Sequence, residues 1–181
     1  MIKKLMVGWI AMALGMMACG LTRPKPQSFV IPVYDTAEEQ FRFAEKYYTD
    51  TLPSIDPERR REQMLKAIAC FNKVVERFPD DEEWTPLALI WTGDVYYKSK
   101  DFEDAIKYYE RARENYPNYD YVQIKALWAE GKSLELMSNY DQAHQMHREV
   151  LDRYEERKDL DSASQFIVKD CRSLYERVLS E

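Results

Sequence analysis

Two histidines, a run of four carboxylates and three cysteines are the groups in this sequence that could do chemistry, and each falls short of a complete set. His144 and His147 stand three apart, which puts both imidazoles on one helix face. A zinc site takes three or four ligands, and no glutamate follows His144 as it does in an H-E-x-x-H helix. The expectation is two packing or surface histidines and no metal. Asp80, Asp81, Glu82 and Glu83 lack the glycine-bearing spacing of a calcium loop and read as a solvated cluster. Glu58-Arg59-Arg60-Arg61-Glu62 reads as a charged helix face. Cys70 and Cys171 lie among apolar residues, as buried thiols do. Of five glycines, Gly8, Gly15 and Gly20 fall in the first twenty residues, and no glycine-rich phosphate loop exists. No nucleophile–base pair can be named. The reading is therefore no catalytic residue, no cofactor and no enzyme. A net charge of −6 leaves no nucleic-acid footprint and favours solubility.

The third cysteine has a different setting. Lys3 and Lys4 precede a thirteen-residue apolar run, Leu5–Met17, too short to span a bilayer comfortably. Met16-Met17-Ala18-Cys19 follows and resembles a bacterial lipobox, with Met16 and Met17 as departures from the usual pattern. The resemblance implies a lipoprotein signal peptide over residues 1–18 and a lipidated Cys19 at the mature N-terminus. Pro24, Pro26 and Pro32 mark residues 19–34 as an extended tether. Gly20 after the cysteine resembles sorting to the outer membrane.

The body, residues 35–181, must position whatever the chain binds. Few glycines and abundant helix formers predict an all-α fold. Trp84–Pro117 reads as two helices folded back on each other. Leu89, Gly93 and Tyr96 share one face, and Ala105, Tyr109 and Ala112 share another. Thr85 is the expected N-cap of the first helix, with Pro86 at its first position, and Asp101 the cap of the second. The pattern recurs. Ala67, Ala105 and Ala143 are spaced by 38; Phe71, Tyr109 and His147 each follow by four; Gly93 and Gly131 each precede by twelve. Pro79 and Pro117 close the first two copies. Leu89-x2-Thr92-Gly93-x2-Tyr96, Ala105-x3-Tyr109 and Pro117 resemble the tetratricopeptide repeat, lengthened from its usual 34 or so residues. The resemblance implies a short solenoid of antiparallel helix pairs, with repeats at about 35–79, 84–117 and 120–156. Thr36-x-x-Glu39 is a capping box for the first helix, and Asp56-Pro57 starts the second. A last helix, 160–180, with Phe166, Val168, Cys171, Leu174, Tyr175 and Val178 apolar, would cap the stack.

In tetratricopeptide folds the first helices of successive repeats line a concave groove. The resemblance therefore implies a partner-binding row beside the packing face: Phe41, Glu45 and Tyr48 in repeat one, Ile90, Asp94, Tyr97 and the adjoining Lys98 in repeat two, and Trp128, Lys132 and Glu135 in repeat three. Large apolar anchors among charges are what a peptide groove uses. The layout of signal, cysteine, tether and repeats resembles the tetratricopeptide lipoproteins of the outer-membrane β-barrel assembly machinery. It implies an envelope protein or peptide partner at the periplasmic face of the outer membrane. A transport-associated lipoprotein that carries a small ligand, or docks a substrate-binding protein, is the alternative.

Overall fold

A computed structural model describes residues 29–51 and 56–179 of the chain. Those residues form seven helices and no strand: α1 Ala37–Thr51, α2 Pro57–Arg77, α3 Trp84–Ser99, α4 Phe102–Asn115, α5 Asp120–Leu136, α6 Tyr140–Tyr154 and α7 Ser162–Leu179. The expected signal peptide and Cys19 lie outside the described residues, as does most of the tether.

Local chemistry sets the helix ends. Thr36 Oγ1 accepts from Glu39 N at 3.2 Å, which makes it the N-cap, and donates to Glu39 Oε2 at 3.1 Å, so the glutamate engages the hydroxyl. Asp56 accepts from Glu58 N at 3.1 Å, with Pro57 opening α2. The start of α3 departs from expectation. Thr85 is not its cap: the helix begins at Trp84, and Asp81 Oδ1 accepts from Trp84 N at 2.6 Å. Thr85 Oγ1 instead donates to Phe78 O at 2.6 Å, tying α3 to the end of α2. Asp161 Oδ1 accepts from Ala163 N and Ser164 N ahead of α7.

Three antiparallel pairs follow, α1/α2, α3/α4 and α5/α6, with α7 packed on both α5 and α6. The first helices form a continuous row, since α1 meets α3, α3 meets α5 and α5 meets α7. No comparable backbone approach joins α2 to α4 or α4 to α6. Side chains bridge α2 and α4, as where Asn72 Nδ2 donates to Tyr108 Oη at 3.2 Å. A row in contact on one side and parted on the other curves, with α1, α3, α5 and α7 on the inside. The fold is a tetratricopeptide-type solenoid in which α7 occupies the place of the first helix of a fourth pair.

The close approach within the α3/α4 and α5/α6 pairs depends on glycine. A Cβ on Gly93 would lie 2.7 Å from Tyr109 Cδ1, and one on Gly131 would lie 2.8 Å from His147 Nε2. The aromatic ring of the second helix thus lies flush on the bare backbone of the first. Phe71, Tyr109 and His147 are all buried. Phe166, expected on the apolar face of α7, is 70% exposed, while Ile167, Val168, Cys171 and Leu174 face the core.

Residues 29–34, assigned to the tether by sequence, are held against α1. Gln40, fully buried, donates from Nε2 to Pro32 O and accepts at Oε1 from Tyr34 N, each at 3.1 Å. Arg77 donates to Tyr34 O at 3.0 Å.

Candidate functional site

The inner helices α3 and α5 leave a cleft of about 180 Å³ between them, lined by Asp94, Tyr97, Lys98, Tyr109, Lys125, Trp128, Ala129 and Lys132. Five residues of the expected row meet there: Asp94, Tyr97, Lys98, Trp128 and Lys132. The cleft carries three ammonium groups and one lining carboxylate, on a chain whose net charge is −6.

Asp94 fixes the floor. It accepts from Tyr109 Oη at 2.7 Å and pairs with Lys125 Nζ at 3.3 Å, so one side chain of α3 ties down α4 and α5. Burial and the neighbouring carboxylate push the Tyr109 phenol far above its ordinary range, so the hydroxyl stays a donor. Trp128 donates from Nε1 to Asp170 Oδ2 of α7 at 2.6 Å, which locks its ring. Lys125 Nζ and Lys132 Nζ lie 4.5 and 4.6 Å from that ring's centroid. Trp128 is therefore less an open anchor than a support: its π-face holds two cations at the cleft. Tyr97 packs edge-on against Phe102 at 5.7 Å and keeps part of its ring open. Lys98 Nζ stands 5.0 Å over the Tyr48 ring and is exposed.

Other members of the row are placed differently. Phe41 is 2% exposed beneath Trp84, Trp91 and Phe71, and Ile90 is 1% exposed. Tyr48, at 3%, packs edge-on against Trp91 and Phe71. These three are packing residues. Phe41 points along the solenoid at α3, whose Trp84 and Trp91 cover it. Glu45 is half-buried and pairs with Arg42 of its own helix at 3.0 Å, away from the α3–α5 cleft. Glu135 accepts from His147 Nε2 at 3.2 Å and from Arg177 Nη2 at 3.4 Å, joining α5 to α6 and α7. Sequence reasoning missed Lys125 and Asp170. Lys125 lies one turn before Trp128 on the same face, so extending the row by a turn would have reached it. Asp170 has no such local signal, because it joins the site through α7.

The remaining reactive groups are built into packing. His144 stacks on Tyr175 with centroids 4.1 Å apart and planes 9° apart. His147 is 1% exposed, and burial, opposed by Glu135, holds its pKa below the ordinary imidazole value. Burial pushes the Cys70 and Cys171 thiols up to about 12, which leaves them un-ionised. Among the described residues no three His, Cys, Asp or Glu side chains converge as a metal set.

Comparison with known proteins agrees with this geometry. Residues 87–156, which span α3 to α6, match the tetratricopeptide repeat family. The fold resembles the N-terminal domain of stress-induced protein-1 from C. elegans, with a TM-score of 0.54 and 16% identity. That match covers 78% of this chain and 98% of the other. No curated protein matches the sequence.

Proposed function

We propose that this tetratricopeptide-type chain is a non-enzymatic scaffold of the cell envelope, held at a membrane by a lipid on Cys19, that captures an anionic segment of a protein partner. Helical repeats of this kind generally bind proteins or peptides, and here the α3–α5 cleft is the candidate seat. The observation that carries the reading is the gathering of Lys98, Lys125 and Lys132 in one partly apolar cleft of an acidic chain. Carboxylates of an extended peptide would meet the ammonium groups while its apolar side chains lay against Tyr97 and Ala129. Partial burial of Lys125, whose side chain is 15% exposed, strengthens such a contact over one in bulk water.

The envelope location rests on the order of basic residues, apolar run and Ala18-Cys19 in the sequence, and a role in outer-membrane protein assembly on resemblance in layout. A small-ligand carrier fits less well. The cleft, at about 180 Å³, is smaller than the 300–1,000 Å³ or so of typical small-molecule sites.

The test is a crosslinked capture from native membranes with the full chain and with a Tyr97→Ala, Lys132→Glu double variant. The expected result is a protein partner held by the wild type and lost from the variant, with melting temperatures within about 3 °C of each other, as surface changes allow. Equal recovery from both would remove the cleft from the reading. A labelled Cys19→Ala chain that still fractionates with membranes would remove the lipid anchor.

A further inference from the structure

The two edges of the solenoid differ in kind. One edge holds the turns within each pair, where α1, α3 and α5 end and α2, α4 and α6 begin. The other holds the junctions between pairs. Along the junction edge Asp80, Glu82, Glu83, Asp159 and Asp161 are exposed. The turn edge carries most of the large apolar side chains exposed on the helical body: Leu65 at 57%, Leu136 at 56%, Met137 at 38% and Tyr140 at 57%. It also carries a surface cleft of about 370 Å³ between α2 and the α3–α4 turn. Arg60, Arg61, Lys98 and Lys100 line that cleft over a floor of Met64, Leu65 and Ile68, with Asp101 as its carboxylate.

The chain enters the described fold near this same edge. Phe29 packs 5.0 Å from Tyr47, one turn before the end of α1, and Lys66 Nζ stands 5.3 Å from its ring centroid. Lys66 is the neighbour of Leu65 on α2. Upstream lies the apolar run Leu5–Met17, and Phe29 follows Cys19 by ten chain steps. Extended, those ten reach at most about 35 Å. Whatever surface holds Cys19 thus lies within about 35 Å of Phe29, which is itself near the turn edge.

We propose that the turn edge docks on the anionic membrane that holds the N-terminus, with Arg60, Arg61 and Lys100 against lipid headgroups and Leu65, Met137 and Tyr140 in the interfacial layer. This rests on the membrane attachment proposed above. Basic side chains near an anionic leaflet and exposed apolar side chains beside them are the two attractions that hold a peripheral surface. Each is weak alone. The tether supplies the local concentration that makes them count. The turn edge also exposes Glu58, Glu62, Asp101, Glu103 and Asp141, so the attraction comes from the local patch of Arg60, Arg61 and Lys100 rather than from the edge as a whole.

The experiment reconstitutes the full chain, taken from native membranes, into vesicles with or without phosphatidylglycerol. A photo-crosslinking benzoylphenylalanine replaces Leu65 on the turn edge or Asn118 on the junction edge. Flotation reports attachment, and mass-resolved adducts report contact. Expected are floating vesicles, lipid adducts from position 65 at least about five times those from 118, and loss of that excess in about 1 M salt, where the Debye length is about 3 Å. An Arg60→Glu, Arg61→Glu, Lys100→Glu variant should float equally and lose the excess. Flotation with equal or absent adducts at both positions would overturn edge docking and leave attachment standing. Failure to float would overturn both. Protein adducts in place of lipid adducts at position 65 in native membranes would make this edge a protein interface and also overturn the proposal.

Discussion

Glu130 of α5 is 2% exposed, yet it carries a carboxyl beside Arg113 of α4, with two contacts at 3.3 Å. Burial outweighs the guanidinium and raises its pKa to about 7. The folded chain therefore holds this proton more tightly than the unfolded one. Stability from it is full below about pH 4.5 and is lost as pH rises through about 7, by at most about 3 kcal/mol. Urea titrations between pH 5 and 8 should show Glu130→Gln gaining stability relative to the wild type as pH rises, a difference in which the opposing contribution of buried His147 cancels. A second residue-scale expectation concerns Gly93. Gly93→Val should drive a side chain into the Tyr109 ring and lower stability by about 1–3 kcal/mol, read in the same titrations. An unchanged midpoint would contradict the helix contact. The glycine–aromatic pairs were legible in sequence because type and spacing recur. The buried partners Gln40 and Glu130 were not, because a polar residue on a helix does not declare whether a backbone carbonyl or an arginine awaits it.

At the scale of the element, α7 does more than cover an end. It closes the hydrophobic cluster of Ile124, Leu127, Val150 and Tyr154, and through Asp170 it orients the Trp128 ring in the cleft. A chain truncated after Glu156 would expose that cluster. Each buried aliphatic side chain contributes about 1.5–3 kcal/mol, so repeat three should lose protection in hydrogen exchange before repeats one and two. Asp170→Ala is the milder change. It should leave the helices folded and loosen Trp128, visible as a shift in tryptophan emission and a drop in partner capture. Helix positions and the caps at Thr36 and Asp56 could be read from periodicity and from Asx or Thr residues, whereas Thr85 and Asp101 make no side-chain cap. The pattern gave the inner helices, but it did not tell a residue facing the cleft from one facing the next inner helix, which is why Phe41, Tyr48 and Ile90 proved to be core. That distinction depends on curvature, a property of several repeats together.

At the scale of the molecule, charge is unevenly distributed: three ammonium groups gather in the α3–α5 cleft of a chain whose net charge is −6. An anionic peptide should bind faster at low ionic strength and lose affinity as salt rises past about 0.15 M, where the Debye length is about 8 Å. Surface plasmon resonance with an acidic peptide and a charge-reversed control would measure it, and equal binding of the two would argue against an electrostatic cleft. The inner helices touch one another, whereas the outer helices α2, α4 and α6 make no comparable backbone approach. Mechanically, such a stack is a strip with one stiff lamina. Its inner row acts as a fulcrum line, and its outer row has room to fan. Bending that opens the cleft must part packed aromatics, while bending that closes it need only stretch side-chain bridges such as Asn72–Tyr108. Compliance is therefore one-sided, and a bound segment would be gripped by tightening of the curve rather than admitted by its relaxation.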